Sequence, residues 1–148
     1  MDHLKRLLEE KGVNFEILQH EQPILRAQDG ADFFGIEIGQ TAPTFILESE
    51  KGFYAMITSG ARGRVSFEDI AALVGCQSLK LAKPKEVERI TGYTVGSVPL
   101  VGIALPCIFD RALLRYPFIY GGTGDSRSTL KIAPEELEKL NQIVCSFE

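Results

Sequence analysis

The sequence predicts an α+β domain in which a mixed, curved or barrel-like β-sheet is surrounded by helices. Six or seven short β-prone runs alternate irregularly with five segments that carry helix-capping signals. Hairpins stand beside helical crossovers, and this combination requires antiparallel and parallel pairing in one molecule, which a regular doubly wound fold does not offer. At 148 residues the chain is expected to form a single domain, 1–148, with a core that needs no disulfide staples.

The elements follow in order. Asp2 can cap a first helix with Leu4, Leu7 and Leu8 at helical spacing and Gly12 as its stop. Residues 14–18 alternate as a strand. After Pro23, residues 27–34 read as a second helix closed by Gly35, although Gly30 inside it weakens the pattern. Residues 44–48 and 53–58 are apolar β-prone runs joined through Ser49, Glu50, Lys51 and Gly52, a hairpin signal. The loop 59–64, S-G-A-R-G-R, could hold a phosphate, but it lacks the lysine and spacing of a P-loop and reads more simply as a connector. Ser66 and Asp69 have capping-box spacing before a helix ending at Gly75. Residues 79–82 form a short strand, and Pro84 opens a helix that stops at Gly92. Strands are expected at 107–109, 118–121 and 129–132. Pro134 should open a last helix whose apolar stripe is Leu137, Leu140 and Ile143 or Val144.

Composition narrows the function. Apolar residues make up 45% and charged residues 24%, as in ordinary globular proteins, and no apolar run is long enough to span a membrane, so a cytoplasmic protein is expected. Cys76, Cys107 and Cys145 are widely separated, with no CxxC pair, which argues against a zinc site and a disulfide framework. His3 and His20 read as solvated or capping histidines rather than metal ligands or a catalytic base, and no metal or cofactor is expected. The net charge of −4 argues against broad nucleic-acid affinity, leaving a small local basic face as the most that is expected.

One stretch stands apart. Residues 91–102, T-G-Y-T-V-G-S-V-P-L-V-G, hold three glycines and a proline and no charge. Such a stretch reads as a backbone-rich loop lying against the body of the domain. It is suited to present main-chain N–H and C=O groups to a small ligand, or to serve as a buried crossover with no ligand.

Four stretches together resemble the YbaK-type aminoacyl-tRNA deacylases, relatives of the editing domain inserted in bacterial prolyl-tRNA synthetases. They are Ala27-Gln28-Asp29 with the small helix ending at Gly35-Ile36; Arg64-Val65 before the helix ending Leu73-Val74-Gly75; Thr91-Gly92-Tyr93 running through Gly96 and Pro99 to Gly102; and Leu105-Pro106 to Asp110 with the Gly121-Gly122 turn. The resemblance implies a barrel-like α+β fold and hydrolysis, in trans and without metal, of the ester joining a wrong amino acid to the 3′ ribose of a tRNA. It implies catalytic main-chain groups at Gly96, Ser97, Val98 and Pro99. It also implies substrate contacts from Thr44, Ile46, Thr91, Gly92, Tyr93, Leu100, Gly102, Asp110, Gly121 and Gly122. The partners would be the aminoacyl-tRNA 3′ end and an aminoacyl-tRNA synthetase. An activated ester needs little beyond oriented water and stabilisation of the developing oxyanion.

Two departures qualify this. The family's lysine position is taken here by Pro43, which can neither donate a hydrogen bond nor carry charge, and the family's loop proline falls at Leu100, one place after Pro99. Lys51, Lys80 or Lys83 could supply a displaced cation. A tRNA-facing basic patch would draw on Arg62, Arg64 and Lys83, with Lys80 and Lys85 nearby, unless these are an ordinary solvated surface. Asp110 reads either as a site residue or as a carboxylate capping loop N–H groups at a strand end. Two functions follow: a trans-editing hydrolase, or a binder of an aminoacyl, adenosine-like or protein ligand that has lost hydrolysis.

Overall fold

The computed structural model describes residues 2–148, with only the backbone of Asp2; the cap expected from the Asp2 side chain lies outside the described residues. Among the described residues there are five α-helices: α1 (Asp2–Glu10), α2 (Ala27–Phe34), α3 (Phe67–Val74), α4 (Pro84–Thr91) and α5 (Leu137–Leu140). Helices α2, α3 and α4 stop on the expected glycines, Gly35, Gly75 and Gly92, each in the left-handed region that closes a helix without a Cβ penalty. Ser66 caps α3 by accepting the Asp69 amide at 3.3 Å.

The strands form two mixed sheets. One has β1 (Phe15–Gln19), β8 (Ser128–Ile132), β7 (Ile119–Gly121) and β2 (Thr41–Ala42) in that spatial order. The other runs β5 (Leu79–Leu81), β3 (Thr44–Ser49), β4 (Gly52–Ile57), β6 (Cys107–Asp110) and β9 (Ile143–Phe147). The β2–β7, β4–β6 and β6–β9 pairs are parallel and the rest antiparallel, which is the mixed α+β architecture the sequence predicts. Strands β2 and β3 are one run of chain that changes sheets at Pro43. Proline has no N–H with which to continue a ladder, so it suits this seam. The Pro43 carbonyl still accepts the Thr58 amide at 3.2 Å, and the Thr41 carbonyl accepts that of Gly60 at 2.9 Å.

The alternation of β3 fixes what covers it. Leu47 joins Met56, Ile70 and Ile108 beneath α3, while Ile46 turns to the opposite face with Ala55, Val87 of α4 and Val98. A larger cluster, including Leu8, Leu100, Leu113, Ile119, Leu130 and Leu137, fills the space enclosed by α1, α5 and the four-stranded sheet. Each such fully buried side chain is worth about 1.5–3 kcal/mol relative to exposure.

The C-terminal segment differs from the sequence reading. Leu137 and Leu140 belong to a helix, but that helix ends at Leu140, and residues 143–147 form strand β9 rather than a continued helical stripe. Asn141 makes the break: it is extended (φ −127°, ψ 153°), and its side chain reaches across to the loop at Gly102. Beyond it burial alternates with period two, Val144 being 49% exposed between half-buried Ile143 and Cys145. No helix among the described residues is long and apolar enough to cross a membrane.

Candidate functional site

A cavity of about 300 Å³ opens where the chain crosses from one sheet to the other. One wall is the seam itself, from Thr41 through Pro43 to Phe45. The loop residues 95–98 form the facing wall, and Tyr120, Gly121 and Gly122 at the end of β7 close a third side. The approach to α2, including Leu25, Arg26 and Ala27, and the start of β8 at Ser128 and Thr129 complete it.

Four of the lining residues are glycines, Gly30, Gly96, Gly121 and Gly122. Gly96 has φ +89°, and a Cβ there would come 2.9 Å from the Leu25 carbonyl oxygen, so glycine is required on both counts. At Gly122 a Cβ would run into the Val98 carbonyl oxygen, and the Gly122 carbonyl accepts the Leu100 amide at 2.9 Å. The loop is held from behind by Asn141, which donates to the Leu100 carbonyl and accepts the Gly102 amide, each at 2.9 Å. Among the described residues the amides of Gly96 and Val98 make no intramolecular hydrogen bond, which leaves them able to serve a ligand.

The polar side chains around the cavity are hydroxyls. The Thr44 oxygen is buried without a hydrogen-bond partner, a costly arrangement in an apolar surrounding. Ser97, 7% exposed, accepts from the Thr94 hydroxyl at 3.3 Å. Thr129, 8% exposed, lies 3.0 Å from Nε2 of His20. The charged residues lining the cavity are Arg26 and Asp125, both exposed; Asp125 Oδ1 accepts the Arg127 amide at 2.9 Å.

The structure gathers Thr44, Gly96, Ser97, Val98, Gly121 and Gly122 around one cavity. It separates them from other residues expected beside them. Thr91, Tyr93, Pro99 and Gly102 line a second hollow of about 290 Å³ against α1. Gly92 closes α4. Ile46 and Leu100 belong to the core, Ile46 through strand alternation and Leu100 beneath Gly121.

Asp110 and Arg62 are also corrected, because each is the other's partner. Arg62 Nε and the Asp110 carboxylate are 2.6 Å apart with a second bond at 2.7 Å, and the Ser59 and Ala112 amides donate to the same group at 2.9 Å. Burial alone would push the Asp110 carboxyl up; the guanidinium and two amides outweigh it and hold it below the ordinary carboxylate range. Of the two readings of Asp110, the loop cap is the one present, and the loop it caps is 59–62 rather than the glycine-rich one. Arg64 and Lys83 are exposed and do not line the cavity. Nor do Lys51, which donates to the Gly75 carbonyl at 2.6 Å, and Lys80, 3.3 Å from Glu48. Pro43 does line it. Burial pushes the Cys107 thiol up to about 12, leaving it inert as a nucleophile.

Sequence reasoning missed Arg26, Asp125 and the His20–Thr129 pair. His20 is not solvated: it is 8% exposed, beside Phe33 and Phe34, with ring centroids 5.5 and 6.0 Å away.

The family model for the aminoacyl-tRNA editing domain matches residues 21–140, a range that holds the whole lining of this cavity. The chain belongs to that family. Strands β1 and β9 lie outside the editing-domain match. The crystal structure of hypothetical protein APE2540 superposes with a TM-score of 0.89 at 27% identity, over 97% of this chain and 96% of that one. A proposed trans-editing enzyme for prolyl tRNA synthetase gives 0.85 at 30% identity, over 97% and 92%. The proline–tRNA ligase of Thermosipho melanesiensis is 27% identical over 107 residues, which is 71% of this editing-domain chain but 19% of the ligase's length.

Proposed function

We propose that this protein deacylates mischarged aminoacyl-tRNA in trans, hydrolysing the ester at the tRNA 3′ end. The observation that carries the reading is the Gly96–Val98 wall, whose two unbonded amides stand ready for an oxyanion across a cavity sized for an amino-acid side chain. In this reading Ser97 and Thr44 contact the aminoacyl group, Gly121 and Gly122 let the ester approach the backbone, and the Asp125 carboxylate at the rim meets the α-ammonium. In the same reading Arg26, exposed at the cavity and 3.4 Å from Asp29, meets the terminal phosphate. The work belongs in the cytoplasm, where tRNAs are charged, alongside a prolyl-tRNA synthetase, a partner suggested by what the similar proteins are called.

A second reading, a binder of an aminoacyl or adenosine-like ligand without turnover, is favoured by Pro43, which occupies the cavity wall where the family resemblance implies a lysine. Loss of one charge-assisted contact costs about 1.5–3 kcal/mol, or about ten- to a hundred-fold in rate, so it weakens hydrolysis without abolishing it.

Both readings meet one experiment. tRNAs charged with radiolabelled Ala, Ser, Cys, Thr and Pro are mixed with the natural protein and with Pro43→Lys, and free amino acid is followed. Release by the natural protein is expected, faster in Pro43→Lys by about ten-fold or more. Release by the variant alone supports the binder, and silence from both rejects editing of these substrates.

A further inference from the structure

His20 Nδ1 lies 2.7 Å from the Gln22 carbonyl oxygen and Nε2 lies 3.0 Å from the Thr129 hydroxyl. A carbonyl only accepts, so Nδ1 carries the proton, and in the neutral ring Nε2 must accept from Thr129. The threonine has then spent its only proton on the imidazole, and any further bond it makes toward the cavity is as an acceptor. The pair sits on one face of the β1–β8 ladder: Gln19 pairs with Ser128, and the His20 amide donates to the Arg127 carbonyl at 2.9 Å. Residues diagonal across an antiparallel pair are within side-chain reach. Phe33 and Phe34 fix the ring laterally. Carbonyl, imidazole and hydroxyl thus form a chain of orienter, base and proton carrier that ends at the cavity wall.

We propose that Thr129, backed by His20, accepts the proton of the hydrolytic water, an inference that rests on the deacylase reading above. Water attacks the ester carbonyl carbon. One of its protons passes to Thr129 Oγ1 as the threonine's own proton moves to His20 Nε2, and the carbonyl electron pair moves onto the oxygen met by the Gly96 and Val98 amides. When that pair returns, the bond to the 3′ ribose oxygen breaks, and this oxygen takes the proton back from the imidazolium through Thr129. The products are the free amino acid and an intact 3′ hydroxyl. His20 acts through Thr129 and is a positioning residue; Thr129 meets the water. The relay gives this chain a proton acceptor that owes nothing to the position held by Pro43.

The test uses the full chain and whichever charged tRNA of the five-member panel the natural protein clears fastest. Thr129→Val keeps the shape and removes the hydroxyl, Thr129→Ser restores it, and His20→Asn keeps a donor for the Gln22 carbonyl while deleting Nε2. Expected are kcat losses of about a hundred-fold or more in Thr129→Val and His20→Asn, with KM within about three-fold, and recovery to within about five-fold in Thr129→Ser. Unchanged kcat in a folded Thr129→Val, or a serine variant as slow as the valine one, overturns the relay while leaving the deacylase reading standing. Natural protein that clears none of the five overturns both.

Discussion

Arg62 shows how one residue can be read as surface from its neighbours in sequence and be structural in space. Its side chain is a quarter exposed, and its guanidinium lies 4.9 Å over the Phe147 ring and is spent on the carboxylate of a side chain that is 0% exposed. Arg62→Ala is therefore expected to cost about 3 kcal/mol, the low end for breaking a buried pair because part of the side chain stays in water, measured as a lower urea midpoint at unchanged slope. The pH dependence follows from the sign of the Asp110 shift. Its carboxyl is held below the ordinary value, so its contribution is complete above the unfolded range near pH 4. That contribution is lost as pH falls through the folded value. Below about pH 4 the stability gap between natural protein and Asp110→Asn should close; a gap that persists or widens in acid would contradict the assignment. At the same scale, His20 was legible only as a histidine. Its partner lies 109 positions away, and a strand register had to bring them together.

At the scale of elements, the glycine-rich loop is held at its C-terminal end from two sides. Gly122 and Leu100 hold it to β7, and Asn141 holds it to the C-terminal segment. Asn141→Leu removes two bonds without removing bulk. It should destabilise by about 1–3 kcal/mol and raise hydrogen exchange at the Gly102 amide, while amides in β3 and β4 keep their protection. The sequence was legible wherever one residue decides locally: the glycines that stop α2, α3 and α4, the hairpin between β3 and β4, and the loop that lines the cavity. It was less legible where a distant partner decides. The two-residue β2 exists because β7 pairs with it, and β9 exists because β6 offers a parallel edge and Asn141 turns the chain toward it. Leu137, Leu140 and Ile143 fit a helical period by coincidence of spacing, and only the alternation through Phe147 distinguishes a strand. The residues around the cavity were legible as a loop and a pair of glycines, but not as a division between two hollows: strand alternation sends Ile46 inward, and Pro99 lines the second hollow.

At the scale of the molecule, β9 is one of the two outer strands of the five-stranded sheet, yet Phe147 lies beneath Arg62 and in the cluster under α3. Removing residues 143–148 strips the edge of β6 and the cover of that cluster, and the shortened chain should lose cooperative thermal unfolding; a sharp transition within a few degrees of the full chain would refute this role. The seam at Pro43 and the glycines opposite it bear on descent as well. Two of the lining positions, Gly96 and Gly122, reject any larger residue. Divergence in what the cavity accepts must therefore pass through the other lining positions, Ile24, Phe34, Thr44 and Tyr120 among them. Lineages sharing this fold should vary there and hold their glycines still, so that a new preference can arise by a codon change or two while the scaffold is inherited intact.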